Sequence, residues 1–197
     1  MIESGKSLIG VLAIQGNFAS HAQALTEAGA EAVEVRKPGQ LAELDGLILP
    51  GGESTTMLKF LEKQDFFQAL QDFCRHKPVF GTCAGAILLA RQVLHPAQKS
   101  LGVLDAVVER NAYGRQIDSS IQTEATEIPG GPLEMVYIRA PRIASVGPEV
   151  EVLARRDGFP ALVRQGRLLA ATFHPELSAD RRVHRLFVEI VEAFRKK

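Results

Sequence analysis

Two cysteines and five histidines are the residues of this sequence best suited to nucleophilic chemistry. Cys83 stands in Gly81-Thr82-Cys83-Ala84-Gly85, after the apolar run 78–82 and before the helix-like run 86–90. Strand, sharp turn and helix with G-x-C-x-G at the turn is the layout of a nucleophile elbow. Glycine two positions either side of the nucleophile lets the strand and helix close on each other, and free amides and dipole at a helix N-terminus favour a thiolate. A free cysteine is commonly a small buried apolar residue. The flanking glycines and the strand argue for reactivity at Cys83. Cys74, in Phe73-Cys74-Arg75 of a helical stretch with no turn beside it, reads as packing.

A thiol near neutrality needs a base, for which histidine is suited. His174 ends the apolar run 168–173 and is followed by Pro175-Glu176. In a parallel sheet the carboxyl ends of strands share one edge, so Cys83 and His174 are expected to open onto the same cleft. Proline stiffens the link, and Glu176 can take a hydrogen bond from the far ring nitrogen and hold the imidazole's tautomer. His21, near the end of the first strand, is the rival base, and His184 in the last helix reads as surface. Histidine before acid, with the acid immediately after it, is not the order of an α/β-hydrolase, which argues against an esterase or lipase.

The turn Pro50-Gly51-Gly52-Glu53-Ser54-Thr55 leaves another strand at that edge. Paired glycines can turn backbone N–H groups toward an anion. The Gly52 amide, with that of Ala84 after the nucleophile, would then hold the oxyanion of a tetrahedral intermediate. The chain carries neither GxxxxGK[ST] nor GxGxxG, so a phosphate loop is not indicated.

These groups need a scaffold, and apolar runs alternating with amphipathic stretches predict one: a mostly parallel sheet covered by helices, an α/β three-layer fold. Strands are expected at 8–14, 32–35, 44–49, 78–82 and 168–173. Helices are expected at 18–28, 66–76 and 178–194, with another capped by Ser54 or Thr55 and beginning near Thr56. Strand-like pieces at 101–110, 133–138, 150–155 and 160–164 read as antiparallel hairpins added to the sheet or its edge. With 197 residues, 46% of them apolar, one domain over 1–197 is expected. Lys and Arg balance Asp and Glu at 23 each, which speaks against a nucleic-acid partner and for a small substrate. No apolar run suits a membrane span, and the first residues do not read as a signal peptide, so a cytoplasmic protein is expected. Cysteine and histidine spacings fit no zinc site or disulfide framework.

Three separated pieces, PGGEST at 50–55, GTCAG at 81–85 and FHPEL at 173–177, resemble the class I (triad) glutamine amidotransferases. More closely, GVLAIQG at 10–16, LILPGGESTT at 47–56, GTCAGAILLA at 81–90 and RNAYGRQ at 110–116 are similar to the glutaminase subunits of pyridoxal 5'-phosphate synthases, across almost the whole chain. The resemblance implies hydrolysis of L-glutamine to glutamate and ammonia, without cofactor or metal. It implies delivery of the ammonia to a synthase subunit in a large hetero-oligomer. It also carries two reaction classes, hydrolase for the amide cleavage and lyase through the complex served. By resemblance Cys83, His174 and Glu176 form the triad, and Gly52, Glu53 and Ser54 lie on the glutamine loop. Arg110 contacts substrate, and Ile138 with Arg139 closes the far side of the pocket. A guanidinium suits an amino-acid carboxylate because it can bind both oxygens. The departures, at Asn17-Phe18-Ala19-Ser20-His21 and at Ser120, are expected to leave the triad untouched, the first lying on a partner-facing surface. Other readings are a glutaminase for imidazole-glycerol-phosphate, purine, anthranilate or carbamoyl-phosphate synthesis; a different cysteine hydrolase of similar fold; and a silent scaffold subunit, which would lack Cys83 or His174.

Overall fold

Short runs that are apolar at every position require burial on both faces, and such strands form the middle of the main sheet. The computed structural model describes residues 5–63, 65–110, 112 and 119–196. The chain runs β1 (Leu8–Leu12), α1 (Phe18–Glu27), β2 (Glu31–Val35), a 3-10 turn (Pro38–Leu41), β3 (Gly46–Leu49), α2 (Ser54–Leu61), α3 (Phe66–His76) and β4 (Val79–Thr82). It continues through α4 (Ala84–Leu89), β5 (Ala90–Leu94), β6 (Leu104–Glu109), β7 (Ser120–Glu124), β8 (Leu133–Tyr137) and β9 (Arg142–Val146). A hairpin of β10 (Glu151–Arg156) and β11 (Phe159–Gln165), then β12 (Leu168–Ala171), a 3-10 turn (Pro175–Leu177) and α5 (Arg182–Arg195) complete it.

The main sheet has the order β10-β11-β12-β4-β3-β1-β2, parallel from β12 to β2 with β10 and β11 antiparallel at one edge. Side chains alternate between its faces. Leu47, Leu49, Val79 and Ala170 meet Met57, Leu61, Phe66, Leu70 and Leu88 of α2, α3 and α4. Ile9, Ile48, Phe80 and Leu169 meet Leu25, Phe187 and Val191 of α1 and α5. Helices therefore cover both faces, as expected. Because β12, β4, β3 and β1 are adjacent and parallel, the turns after all four emerge at one edge.

Several expectations are corrected. Only β10–β11 joins the main sheet; β5, β6 and β9 form a separate sheet and β7–β8 a separate hairpin. The strands β5, β7 and β9 were not foreseen, because each has few buried apolar residues and β7 leaves Ile121 68% exposed. α2 is capped by Glu53, whose carboxylate accepts from the Thr55 and Thr56 amides at 3.0 and 2.7 Å, and not by Ser54 or Thr55. α5 starts at Arg182 rather than 178, since Asp180 takes the Arg182 amide at 2.9 Å and the Ser178 hydroxyl binds Glu134. Asn111, Tyr113, Gly114, Arg115 and Gln116 of the RNAYGRQ segment lie outside the described residues, as does Lys197 of the tail.

Candidate active site

β4 delivers the predicted nucleophile. Cys83 has φ 49° and ψ −102°, a rare conformation for a side chain of this kind, and α4 begins at the next residue. The elbow closes tightly: a methyl group at Gly85 would sit 1.9 Å from the Leu49 carbonyl oxygen, and one at Gly81 2.6 Å from the Gly85 carbonyl carbon. Cys83 is 6% exposed and lines a pocket of about 360 Å³, within the range of small-molecule sites, about 300–1,000 Å³.

β12 delivers the predicted base. The turn after it is tied to β8 by the His174 amide donating to Val136 at 2.8 Å. His174 Nδ1 lies 2.8 Å from Glu176 Oε1. Burial lowers the His174 value, but hydrogen bonds and charge from Cys83 and Glu176 outweigh it and raise it to about 10. For Glu176 burial acts upward, but at the low pH where it titrates His21 is protonated, and the charge of His21 with the hydrogen bond from His174 holds it near 2. An ionised carboxylate behind the imidazole and a sulfur in front are what proton transfer from a thiol requires.

β3 delivers the loop. Gly51 crosses both side chains: a methyl there would lie 2.4 Å from His174 Cε1 and 3.4 Å from Cys83 Cβ. Gly52, with φ +141°, lines the pocket, and the loop is fastened from β1 by Gln15 Nε2 donating to the Glu53 carbonyl at 2.6 Å. Ala84, 1% exposed, follows Cys83 as the first residue of α4.

The structure brings the predicted residues together. Gly52, Glu53, Ser54, Cys83, Arg110, Ile138, Arg139 and His174 all line one pocket, with Glu176 buried behind His174. Arg110 follows β6 and donates to Thr55 Oγ1 at 2.8 Å, with Glu53 at 3.3 Å, so it sits on the loop that leaves β3. Ser54 spends its hydroxyl on Gln98. Ile138 and Arg139 follow β8, Arg139 with φ 46°.

Two readings fail. The 17–21 segment does reach the triad: Asn17 Nδ2 lies 3.4 Å from Glu176 Oε1 and His21 Nε2 3.2 Å from Glu176 Oε2. His184 is not on the surface but wholly buried, 3.0 Å from His21. The signal was available, since 184, 187, 188 and 191 fall on one helical face and the last three are apolar. Cys74 behaves as read, buried in α3, where burial pushes its thiol up to about 12.

Residues 11–193 match the model of the SNO glutamine amidotransferase family. The chain is 62% identical over 183 residues to the pyridoxal 5'-phosphate synthase subunit PdxT of Koribacter versatilis (strain Ellin345), covering 93% of this chain and 95% of that protein. It is 54% identical over 187 residues to the protein of the same name in Solibacter usitatus (strain Ellin6076), covering 91% and 97%. A solved structure described as a glutamine amidotransferase superposes with a TM-score of 0.87 at 47% identity, covering 93% of this chain and 98% of that one. The lyase class carried by the resemblance does not hold for this chain, because the match is to an amidotransferase family. A thiol, an imidazole and a carboxylate transfer an acyl group to water, which is hydrolase chemistry.

Proposed function

The chain belongs to the SNO glutamine amidotransferase family, and from that premise we propose that it is a glutaminase, converting L-glutamine to L-glutamate and ammonia for a synthase that makes pyridoxal 5'-phosphate. The observation that carries the reading is the alignment of Cys83, His174 and Glu176 at the foot of a pocket whose other walls suit an amino acid.

His174 takes the Cys83 proton, and the sulfur attacks the side-chain amide carbon of glutamine. The amides of Gly52 and Ala84 receive the negative oxygen. Collapse of the intermediate breaks the C–N bond as His174 returns the proton to the nitrogen, which leaves as ammonia. The γ-glutamyl thioester is opened by a water that gives its proton to His174, releasing glutamate and the thiol. Glu176 stays ionised and stabilises the imidazolium, and the Arg110 guanidinium meets the α-carboxylate, with Glu53, Ser54, Ile138 and Arg139 around the substrate.

The partner is a pyridoxal 5'-phosphate synthase subunit in a large hetero-oligomer. The reading is supported by relatives named as subunits of that synthase, and by Leu177, an apolar side chain 41% exposed on the turn that carries the triad. Residues 1–197 act as one domain, a reading supported by core clusters on both faces of one sheet. A cytoplasmic setting suits an enzyme that depends on a reduced thiol; among the described residues no helix is long and apolar enough to cross a membrane.

The test is ammonia and glutamate release from L-glutamine by the purified chain, alone and with the synthase subunit, with Cys83→Ala as the blank. Release that rises on mixing and vanishes in the blank is expected. Release that ignores the synthase sinks the partner, and none at all sinks the glutaminase.

A further inference from the structure

Glu176 spends Oε1 on His174, while Oε2 is buried with no hydrogen bond of good geometry among the described residues. The group nearest to hand is His21 Nε2 of α1, 3.2 Å away. That nitrogen is also 3.1 Å from Thr82 Oγ1, the residue before the nucleophile, and His21 Nδ1 is 3.0 Å from His184 Nε2 on α5. His21, Thr82 and His184 are wholly buried. Phe80 stands edge-on to both rings, at 6.4 Å from His21 and 6.1 Å from His184.

A carboxylate only accepts, so the ring nitrogen that faces it carries the proton. With the proton on Nε2, in hydrogen-bond geometry with Thr82 Oγ1 and 3.2 Å from Glu176 Oε2, Nδ1 of His21 is a lone pair and takes the proton of His184 Nε2. His184 Nδ1 is then a lone pair too, and it is the ring atom left without a partner. One set of tautomers thus runs from α5 through α1 to the acid of the triad.

The charged groups that act on this pair are Glu176, which attracts protons, and His174 and Arg181, which repel them. Burial outweighs the carboxylate and takes His21 down to about 4 and His184 to about 3. At neutral pH His21 therefore meets Glu176 as a neutral N–H, and the carboxylate keeps its full charge for the His174 imidazolium. A cation at position 21 would take part of that charge for itself.

We propose that His21, backed by His184, is a positioning residue for the reaction: its Nε2–H, 3.2 Å from the otherwise unpartnered outer oxygen of Glu176, attracts that oxygen as a dipole, so that the inner oxygen stays on His174 Nδ1 and the imidazole stays turned to Cys83. The proposal rests on the glutaminase reading.

The test compares the complex with the synthase subunit carrying wild type, His21→Leu, His21→Gln or His184→Leu. Glutamine kcat and KM are measured per folded molecule, together with the pH profile of Cys83 alkylation by iodoacetamide without glutamine. Partners that orient the ligands of a metal cost about 10–100-fold when lost, and by analogy His21→Leu is expected to lower kcat by about ten-fold or more with KM held within about two-fold. Glutamine in place of His21 returns an N–H near the Nε2 position and restores part of the loss, and His184→Leu lowers kcat less. The alkylation profile shifts in His21→Leu, which a purely structural role would not produce. A folded His21→Leu with unchanged kcat and profile overturns the proposal. If that variant does not fold, unchanged kcat in both His21→Gln and His184→Leu overturns it. Wild type that releases no ammonia defeats the glutaminase reading instead, and the alkylation shift, which needs no substrate, still decides the positioning role.

Discussion

Gly85→Ala sets two effects against each other. Gly85 lies in α4, where alanine is the better helix former by about 0.8–1.0 kcal/mol, so propensity alone predicts a more stable protein. Sterics predict the reverse. The added methyl would lie 1.9 Å from the Leu49 carbonyl oxygen, 2.8 Å from its carbon and 2.9 Å from the Leu49 Cβ. Contacts under 3.0 Å are essentially never seen for a real Cβ, so α4 or β3 must retreat by about 1 Å. Neither is a flexible side chain that can swing away. Overpacking costs about 1–3 kcal/mol, and a clash with rigid backbone falls in the upper part of that range, about 2–3 kcal/mol, which exceeds the propensity gain and leaves a net loss of about 1–2 kcal/mol. For a chain of this size that lowers Tm by roughly 2–8 °C. The larger effect falls on activity, because β3 carries the Gly51-Gly52 loop and α4 the Ala84 amide. A misplacement of about 1 Å can cost on the order of 100-fold in kcat. Calorimetry and glutamine hydrolysis with the synthase subunit measure the two effects, with Gly39→Ala as control, since a methyl there meets nothing within 4 Å. A Gly85→Ala protein that melts at or above wild type and keeps kcat would refute the steric argument for the elbow.

Glu176→Gln removes the charge behind His174 while keeping its shape; kcat is expected to fall by about 10³-fold or more with little change in KM, and a fall of only a few-fold would count against the triad. Brief iodoacetamide treatment should label Cys83 and spare Cys74, which is 1% exposed with its thiol near 12; peptide mapping that finds equal labelling would contradict this. Arg110→Lys should raise KM about ten-fold with a smaller effect on kcat, because a point charge cannot pair with both carboxylate oxygens. Stability should pass through a maximum near neutrality. His21 and His184, lowered to about 4 and about 3 from an ordinary 6.5, bind fewer protons folded than unfolded, so stability falls as pH drops below 6.5. His174, raised to about 10, contributes stability that is complete below 6.5 and lost as pH climbs toward 10. Glu176, held near 2, adds a term present above 4.5 and lost as pH falls toward 2. Melting curves should show a Tm several degrees lower by pH 4.5, with a shallower fall in His184→Leu; a flat profile would remove the buried histidines from the acid limb.

The placement of Cys83, His174 and Glu176 was legible in the sequence because it is carried by local geometry. Gly-x-Cys-x-Gly after an apolar run dictates an elbow whatever surrounds it, and the Pro between His174 and Glu176 keeps base and acid within one turn. The strands of the parallel core were equally plain, since burial on both faces leaves an unbroken apolar run. β5, β7 and β9 were not, because short strands with few buried side chains declare themselves only through their partners. The α2 cap went to Glu53 because the loop, not residue preference, decides which oxygen reaches the Thr55 and Thr56 amides.

What lies behind the triad was decided by tertiary structure. His21 and His184 are 163 residues apart, and no spacing rule joins them. Packing of α1 and α5 on one face of the sheet brings the two rings together beside Glu176, in a space walled by Phe80. Sequence by itself determined that Cys83, His174 and Glu176 stand at the ends of strands that share one sheet edge, since covalent links of a few residues hold them there. Only the fold decided how the acid of that set is held and at what pH its neighbours carry charge, because burial and contact between distant helices belong to no single stretch of chain.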